Sequence, residues 1–373
     1  MEVAEIKKLT DDFKQLTVKH DKQEVAKKKI EFVLDYGANV SLVVLAGPSG
    51  VGKSTLLDRL VDGCMTKNKK EMDANPALVP ILYTTAVASG HKAFDFKRMF
   101  SDGLKALKDP FVEYRTTNKR VASASSMVAG ESRSGSFIRE GLEAEMQARG
   151  TLVWIIDEAH HVVRGGKSGH PGDQYDVLKS FSQTTGVKLV LCGTYDLPQF
   201  LASSGQLSRR SETVAFSRYR WDDEQDLKEF KTVIHNILRR LPLESVPSVS
   251  MNAKYFYVYS CGCIGICKDW IARAFALALQ EGSKSLELDH LKRTALSSGQ
   301  LETIGAEMAK GEAFLAQAEP DSLDEGFIKR LMGGTLPRSG KPSPPASKPS
   351  VTKPKPGMRK PGRDAVGEPE AAA

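Results

Sequence analysis

The stretch "LVVLAGPSGVGKSTLLDRL", residues 42–60, joins three local patterns that together decide the fold. An apolar run leads into a glycine-rich turn, and a Lys-Ser-Thr triplet then opens a segment with helical periodicity. Residues 47–54 match the pattern G-x-x-x-x-G-K-[ST] at every fixed position. A loop of this kind wraps phosphate oxygens with backbone N–H groups at the start of a helix. The stretch therefore predicts a nucleotide-binding site between a strand and a helix.

Two side chains of this phosphate loop, those of Lys53 and Ser54, have different expected roles. Lys53 is expected to reach the β- and γ-phosphate oxygens, and Ser54 is expected to offer its hydroxyl to Mg²⁺. ATP is favoured over GTP because the guanine-reading pattern [NT]-K-x-D is missing; "TKNK" at 66–69 has Lys where Asp is needed. We therefore predict ATP and Mg²⁺ as the bound species. The predicted nucleotide-binding residues are Gly47, Pro48, Ser49, Gly50, Val51, Gly52, Lys53, Ser54 and Thr55.

A second motif, "LVWIIDEAHH" at 152–161, supplies the acidic half of such a site. Asp157 follows a run of large apolar residues and is expected to hold Mg²⁺ opposite Ser54, while Glu158 is expected to polarise the attacking water. The two motifs together predict ATP hydrolysis. The letters "DEAH" are also a helicase signature, but the mainly helical remainder of the chain lacks the arginine-rich segment of a second motor lobe.

The order of strand-like and helical patterns predicts an α/β fold with a parallel five-stranded sheet and a helical lid. We place an N-terminal helical extension at 1–36, an α/β ATPase core at 37–220 and an α-helical lid subdomain at 221–332. A disordered tail is predicted at 333–373, where proline and lysine are frequent and large apolar residues are rare. From 335 to 373 the net charge is +5, most of the +7 of the whole chain.

Composition narrows the class of protein further. Apolar runs are too short for a membrane span, and the N-terminus lacks the apolar segment of a secretory signal, so a cytoplasmic protein is expected. Five cysteines predict reduced thiols rather than a disulfide framework. A zinc interpretation of "CGCIGIC" at 261–267 lacks a second pair of ligands, and small buried thiols at a helix start are favoured.

Three further positions could complete the site, and each also has an ordinary structural interpretation. Thr194 follows the fourth predicted strand, where it would face the γ-phosphate or form a simple turn. Arg209 and Arg210 precede the fifth strand, where they would be solvated or reach the γ-phosphate of a neighbouring subunit. Lys268 lies on the first turn of a lid helix, where it would contact the nucleotide or remain a surface lysine.

The phosphate loop, the acidic strand and these three further positions follow one another along the chain in the order typical of AAA+ P-loop NTPases. The sequence resembles more closely the TniB/TnsC family of ATPase regulators of DNA transposition. The matching phrases between about residues 24 and 297 are "LAGPSGVGKSTLLDRL", "LVWIIDEAHHVV", "LVLCGTYDLPQFL", "QLSRRSETVAFSRYRWD", "LPLES" and "SCGCIGICKDWIARAFALAL". The resemblance implies a ring or helical filament on double-stranded DNA that marks a target and recruits or activates a transposase, with a target-selector protein as a further partner. It also implies a sensor role for Thr194, an inter-subunit finger at Arg209 or Arg210, and a second sensor at Lys268.

Contact with DNA is predicted from a local excess of basic residues. Between 91 and 120 there are eight Lys or Arg against four Asp or Glu, and we predict that Lys119 and Arg120 hold DNA phosphates.

The sequence is also compatible with two other functions. One is a helicase loader or replication initiator, and the other is a nucleotide-gated adaptor that binds proteins through its tail without DNA.

Overall fold

The computed structural model describes residues 3–88, 94–110, 135–164, 171–202, 209–317 and 332. Lys119, Arg120 and the predicted tail from 333 onward lie outside the described residues. Five strands form one sheet, in which every neighbouring pair is parallel and the spatial order is β2-β3-β4-β1-β5. The strands are β1 Leu42–Ala46, β2 Ile81–Thr85, β3 Val153–Asp157, β4 Lys188–Gly193 and β5 Ser211–Ala215. The predicted parallel five-stranded sheet is therefore confirmed.

Helices cover both faces of this sheet, and turns and loops join them to the strands. Those preceding β5 are α1 Val3–Gln15, α2 Asp21–Tyr36, α3 Lys53–Lys67, α4 Lys69–Ala74, α5 Phe96–Ala106, α6 Gly135–Ala148, α7 His160–Arg164, α8 Pro171–Thr185 and α9 Asp196–Leu201. Those following β5 are α10 Glu224–Leu238, α11 Ala253–Ser260, α12 Ile264–Gln280, α13 Leu288–Thr294 and α14 Ser298–Gln317. No helix among the described residues is long and apolar enough to cross a membrane.

The central strands are apolar on both faces because helices cover both. All five residues of β1 are fully buried, and alternate residues enter different cores. Leu42 and Val44 pack with α5, α6 and α8, whereas Val43 and Leu45 pack with α2 and α3. Because all strands are parallel, their carboxyl ends meet at one edge of the sheet, and the phosphate loop starts there.

The fifth strand is shorter than the sequence pattern indicates. The segment "ETVAFSRY" predicts a fifth strand over Glu212–Tyr219, but the strand ends at Ala215. Phe216 still donates its backbone N–H to Ala46, and the chain then leaves the sheet, so that Tyr219 donates to the carbonyl of Gly262. An apolar run at a sheet edge can continue into another core, which periodicity alone does not distinguish from a longer strand.

The N-terminal helix packs with the helices that follow β5. Phe13 of α1 is buried, and its ring lies 5.9 Å from that of Phe275 in α12. The described residues from 3 to 317 belong to one compact unit. The boundaries predicted at 36, 220 and 332 stay predictions.

One buried histidine makes the stability of the fold depend on pH. His20 stacks on Phe216, and its Nδ1 lies 3.0 Å from the hydroxyl of Tyr219. Burial, with Arg59 nearby, lowers the pKa of His20 from 6.5 to about 4. Between pH 6.5 and about 4 the unfolded chain therefore binds a proton that the folded chain does not, so acidification over this range favours unfolding.

We expect the free energy of unfolding to fall by about 3 kcal/mol from this residue alone as the pH drops from about 6.5 to about 4. Urea denaturation at pH 7 and pH 4.5 measures the change, and His20→Gln should remove most of it. His235→Gln, at an exposed position on α10, is the matched control. An unchanged pH dependence in His20→Gln would contradict the assignment.

Candidate nucleotide site

The phosphate loop adopts a backbone path that requires glycine. Gly50 and Gly52 have φ values of +76° and +109°, in the region that side chains with a Cβ rarely enter. A Cβ on Gly47 would collide with the carbonyl oxygen of Phe216. The loop leaves β1 at the sheet edge, where Gly47 donates to Gly193 of the neighbouring β4 at 3.3 Å. The glycines thus allow the backbone conformation of the loop, and the hydrogen bond from Gly47 to Gly193 fixes the start of the loop between β1 and β4.

Lys53, the first residue of α3, folds back over this loop. Its ammonium group donates to the carbonyl oxygens of Gly47 and Pro48, both at 2.9 Å. Burial lowers the pKa of Lys53, while Glu158 and Asp157 oppose that shift. The ammonium therefore lies inside the concave loop, and exchange of its carbonyl partners for phosphate oxygens would satisfy its hydrogen bonds again.

Asp157, the last residue of β3, connects the two motifs. Its Oδ2 accepts from Ser54 Oγ at 3.3 Å and from the hydroxyl of Tyr83 at 2.9 Å, and its Oδ1 accepts from the backbone N–H of Glu158 at 2.8 Å. A serine hydroxyl beside a carboxylate is a hard oxygen donor set of the kind that Mg²⁺ prefers. Ser54 and Asp157, which the sequence paired across 103 positions, therefore fit the predicted magnesium site.

Glu158 follows in a strained conformation. Its φ of +52° lies in the left-handed region, which is uncommon for a residue with a side chain and often marks functional sites. Its carboxylate is half-exposed, and Oε2 lies 3.1 Å from Nδ1 of His160 at the start of α7. The turn thus brings the Glu158 carboxylate to His160, while Lys53 remains close enough to both acidic groups for each of them to raise its pKa.

Thr194 lies where β4 ends, and its side chain faces a groove of about 490 Å³. Its Oγ1 is buried and has no hydrogen-bond partner among the described residues. The groove is bounded by Pro48, Ser49 and Gly50 on one side and by α12 and α14 on the other. An unsatisfied buried hydroxyl next to the phosphate loop fits a group that contacts a phosphate oxygen.

The lid helix α12 contacts the phosphate loop, but not through the residue predicted from the sequence. Gly265 donates its backbone N–H to the carbonyl of Gly50 at 2.7 Å, and Ile266 packs on Gly50. Lys268 instead donates to the carbonyl of Lys14 at 2.5 Å, at the end of α1. A helix turns about 100° per residue, so residue 268 lies on a different face from residues 266 and 269, which line the groove. The predicted second-sensor position of Lys268 has no support in this arrangement.

Arg209 and Arg210 are exposed at the opposite edge of the sheet from the phosphate loop. Arg210 accepts backbone hydrogen bonds from Ser41 and Leu42 at the amino end of β1. Because β1 and β5 run parallel in register, five residues separate this end from the loop, roughly 16 Å at the rise of a strand. These arginines are therefore remote from the phosphate loop of their own chain.

The cysteine-rich segment shows buried thiols. All five cysteines are free; Cys261 and Cys263 belong to one apolar core, whereas Cys267 belongs to another. Burial raises the pKa of Cys263 to about 12 and raises that of Cys267 as well. Side chains divided between two cores do not converge on a metal, so the favoured interpretation of small buried thiols is confirmed.

Tyr83 is a site residue that the sequence analysis missed. It lies in β2, next to β3, and its hydroxyl orients Asp157. We expect Tyr83→Phe to raise the Mg²⁺ concentration needed for half-maximal ATP turnover by about tenfold, since outer-shell partners of metal ligands commonly contribute that much. Tyr36→Phe, at an exposed position on α2, is the control. An equal Mg²⁺ dependence in both variants would show that Tyr83 has no positioning role.

With this geometry established, comparison with known proteins identifies the fold. Residues 38–201 match the family model described as AAA domain. The chain has the fold of an AAA+ P-loop NTPase. The fold class predicted from the sequence is thereby confirmed, with the AAA domain spanning β1 to α9. A comparison with curated proteins finds no match.

Several solved structures are similar to this chain at low sequence identity. The ORC1 protein of Aeropyrum pernix in complex with DNA is 14% identical, with a TM-score of 0.50, and the match covers 74% of this chain and 65% of that one. The ADP form of Aeropyrum pernix ORC2 is also 14% identical, with a TM-score of 0.49 and coverage of 73% and 66%. A Walker-type ATPase of Pyrococcus abyssi is 17% identical, with a TM-score of 0.46 and coverage of 86% and 92%. The chain thus spans slightly less than two thirds of either Aeropyrum protein.

Proposed function

We propose that this AAA+ protein binds ATP with Mg²⁺ and hydrolyses it to ADP and phosphate. The observation that carries the proposal is the position of Asp157, whose carboxylate accepts a hydrogen bond from Ser54 of the phosphate loop and has Glu158 as its immediate neighbour. Mg²⁺, when bound by Ser54 and Asp157, would neutralise charge on the phosphate oxygens. The meeting of Ser54, Asp157 and Glu158 at one sheet edge supports phosphoryl transfer to water.

The side chains divide the chemistry among them. Backbone N–H groups of Gly50, Gly52 and Lys53, together with the Lys53 ammonium, bind the phosphates and stabilise charge on the leaving group. Glu158 accepts the proton of the attacking water as the new P–O bond forms and the bond to the ADP oxygen breaks. Thr194, with its unpaired hydroxyl, donates to a γ-phosphate oxygen.

Assembly supplies the remaining cation. Arg209 and Arg210 are too far from their own phosphate loop to act there, so we infer that they act on the nucleotide of a neighbouring copy. Charge complementarity supports this head-to-tail contact. The groove beside the phosphate loop carries Asp196, Asp269 and Glu307 against one basic residue, Lys310, while a cavity at the arginine edge is lined by Arg209, Arg210 and Lys188 without acidic residues.

For the biological role, we propose that these assemblies form on double-stranded DNA and regulate transposition, marking a target and recruiting or activating a transposase. The support is the resemblance of the phrases around the phosphate loop, the acidic strand and the "QLSRRS" segment to TniB/TnsC proteins. A replication initiator or helicase loader is the second candidate, since the structurally similar ORC1 protein was determined in complex with DNA. Both roles require the same ATP-dependent assembly.

Electron microscopy of the full chain with double-stranded DNA tests the shared part of the proposal. We expect rings or filaments on DNA with a non-hydrolysable ATP analogue and none with ADP. Particles that are indifferent to DNA and nucleotide would instead favour the nucleotide-gated adaptor. Pull-down of the transposase or of a replicative helicase by the DNA-bound assembly then separates the two roles.

Variants at Lys119 and Arg120 test whether these two residues contact DNA. Lys119→Ala/Arg120→Ala should bind DNA more weakly and with a smaller dependence on salt concentration, because fewer phosphates are neutralised. Lys7→Ala/Lys8→Ala removes the same charge from the exposed face of α1 and is the matched control. Equal affinity and salt dependence in both variants would remove Lys119 and Arg120 from the DNA interface.

A further inference from the structure

Three side chains with metal-binding atoms converge just after β3. One potential ligand atom each from Glu158, His160 and His161 lies within 4.8 Å of the other two. His160 is buried, whereas Glu158 and His161 are half-exposed, so the group is open to solvent on one side. The two imidazole rings lie with their centroids 4.3 Å apart. This cluster is hereafter the EHH cluster.

The local backbone explains why residues so close in sequence can converge. The left-handed φ of Glu158 reverses the chain immediately after the strand, and α7 then begins at His160. Gly193 of β4 packs against this turn, and a Cβ there would lie 3.1 Å from the backbone nitrogen of His160. The turn is therefore held between two strands rather than free to rearrange.

The chemistry of the EHH cluster suits one class of cation. Two imidazoles and a carboxylate are ligands typical of Zn²⁺ and related transition metals, whereas Mg²⁺ prefers oxygen donors alone. With bonds of about 2.0–2.1 Å, neighbouring ligands of a tetrahedral site lie roughly 3.3 Å apart. Nδ1 of His160 and Oε2 of Glu158 are 3.1 Å apart, close to that spacing. The arrangement differs from the H-E-x-x-H motif, whose histidines lie one helical turn apart.

We propose that Glu158, His160 and His161 bind a Zn²⁺-type cation, with a fourth position open to solvent, and that this binding inhibits ATP hydrolysis. The reason for inhibition is that the carboxylate of Glu158 cannot hold the metal and accept the proton of the attacking water at the same time. The metal-binding part stands on the geometry alone. The inhibitory part rests on the proposed ATPase function.

Cobalt titration of the nucleotide-free full chain tests metal binding directly, because Co²⁺ replaces Zn²⁺ and its visible absorption reports the coordination geometry. We expect one Co²⁺ per chain with a tetrahedral spectrum, and an affinity at least about tenfold weaker in His161→Asn. His235→Asn is the matched control on an exposed helix face. Cys64→Ser separates binding by the half-buried thiol from binding by the imidazoles. Equal cobalt binding by wild type and His161→Asn would overturn the proposed site.

Hydrolysis measured in buffered Zn²⁺ with excess Mg²⁺ tests the consequence. Among the described residues, no hydrogen bond or ion pair joins His161 to Lys53, Ser54 or Asp157, so His161→Asn should retain activity in the absence of zinc while losing sensitivity to it. Stoichiometric cobalt binding with zinc-insensitive hydrolysis would overturn the inhibitory role. If the wild type hydrolyses no ATP even without zinc, the proposed function fails, and the cobalt titration still decides whether the metal site exists.

Discussion

Glu158→Gln is expected to bind ATP with wild-type affinity while losing about 10²–10⁴-fold in hydrolysis rate, the usual contribution of a general base. The amide has nearly the same size as the carboxylate but cannot accept the proton of the attacking water. The variant should therefore hold the ATP-bound assembly on DNA after wild type has released it. Phosphate release, nucleotide affinity and the lifetime of the DNA-bound particles measure the three effects separately.

The matched control is Glu140→Gln, at an exposed position on α6. Disassembly of Glu158→Gln at the wild-type rate would refute the hypothesis that hydrolysis ends the assembly. Wild-type hydrolysis by this variant would remove Glu158 from the catalytic site. The first result concerns disassembly and the second concerns hydrolysis, so the experiment tests the catalytic role of Glu158 separately from the role of hydrolysis in ending the assembly.

The second large effect concerns the paired arginines at the far edge of the sheet. Arg209→Ala/Arg210→Ala should lose about 10³–10⁵-fold in hydrolysis rate, as for other arginines that complete a phosphoryl-transfer site. Nucleotide affinity in the isolated subunit should change little, because these arginines are remote from their own phosphate loop. Arg239→Ala/Arg240→Ala, an exposed pair at the end of α10, is the matched control.

Mixing experiments test whether the arginines act between subunits. Glu158→Gln keeps its arginines and Arg209→Ala/Arg210→Ala keeps its catalytic glutamate, so an equal mixture should regain roughly a quarter of wild-type turnover if neighbours pair at random head to tail. Each variant alone should stay inactive. An inactive mixture that still assembles would argue that the arginines act within their own chain, contrary to the distance between them and the loop.

Much of the site could be predicted from the sequence because its parts are local. A phosphate loop requires glycines at fixed spacing next to a lysine and a serine, and these eight positions are contiguous. Asp157 was predictable because a carboxylate that directly follows a buried strand must lie at the carboxyl end of the sheet. The same reasoning placed Thr194 after β4, and strands alternating with helices predicted the parallel sheet itself.

Other features depend on contacts between distant segments, and no local pattern encodes them. Tyr83 reads as an ordinary strand residue until β2 pairs with β3 and brings its hydroxyl to Asp157. Lys268 matched an expected spacing, but the packing of α1 on α12 draws its ammonium group to Lys14 and leaves Gly265 and Ile266 on the phosphate loop.

The sequence by itself determined the phosphate loop and the acidic residue that ends β3, because backbone conformation and ligand chemistry are properties of short segments. The tertiary structure decided where those residues can act. Parallel pairing of β1 and β5 separates Arg209 from its own phosphate loop by the length of a strand, and the turn after β3 brings the Glu158 carboxylate within 3.1 Å of His160. Both outcomes follow from strand register and from a single left-handed residue, which only the packed sheet specifies.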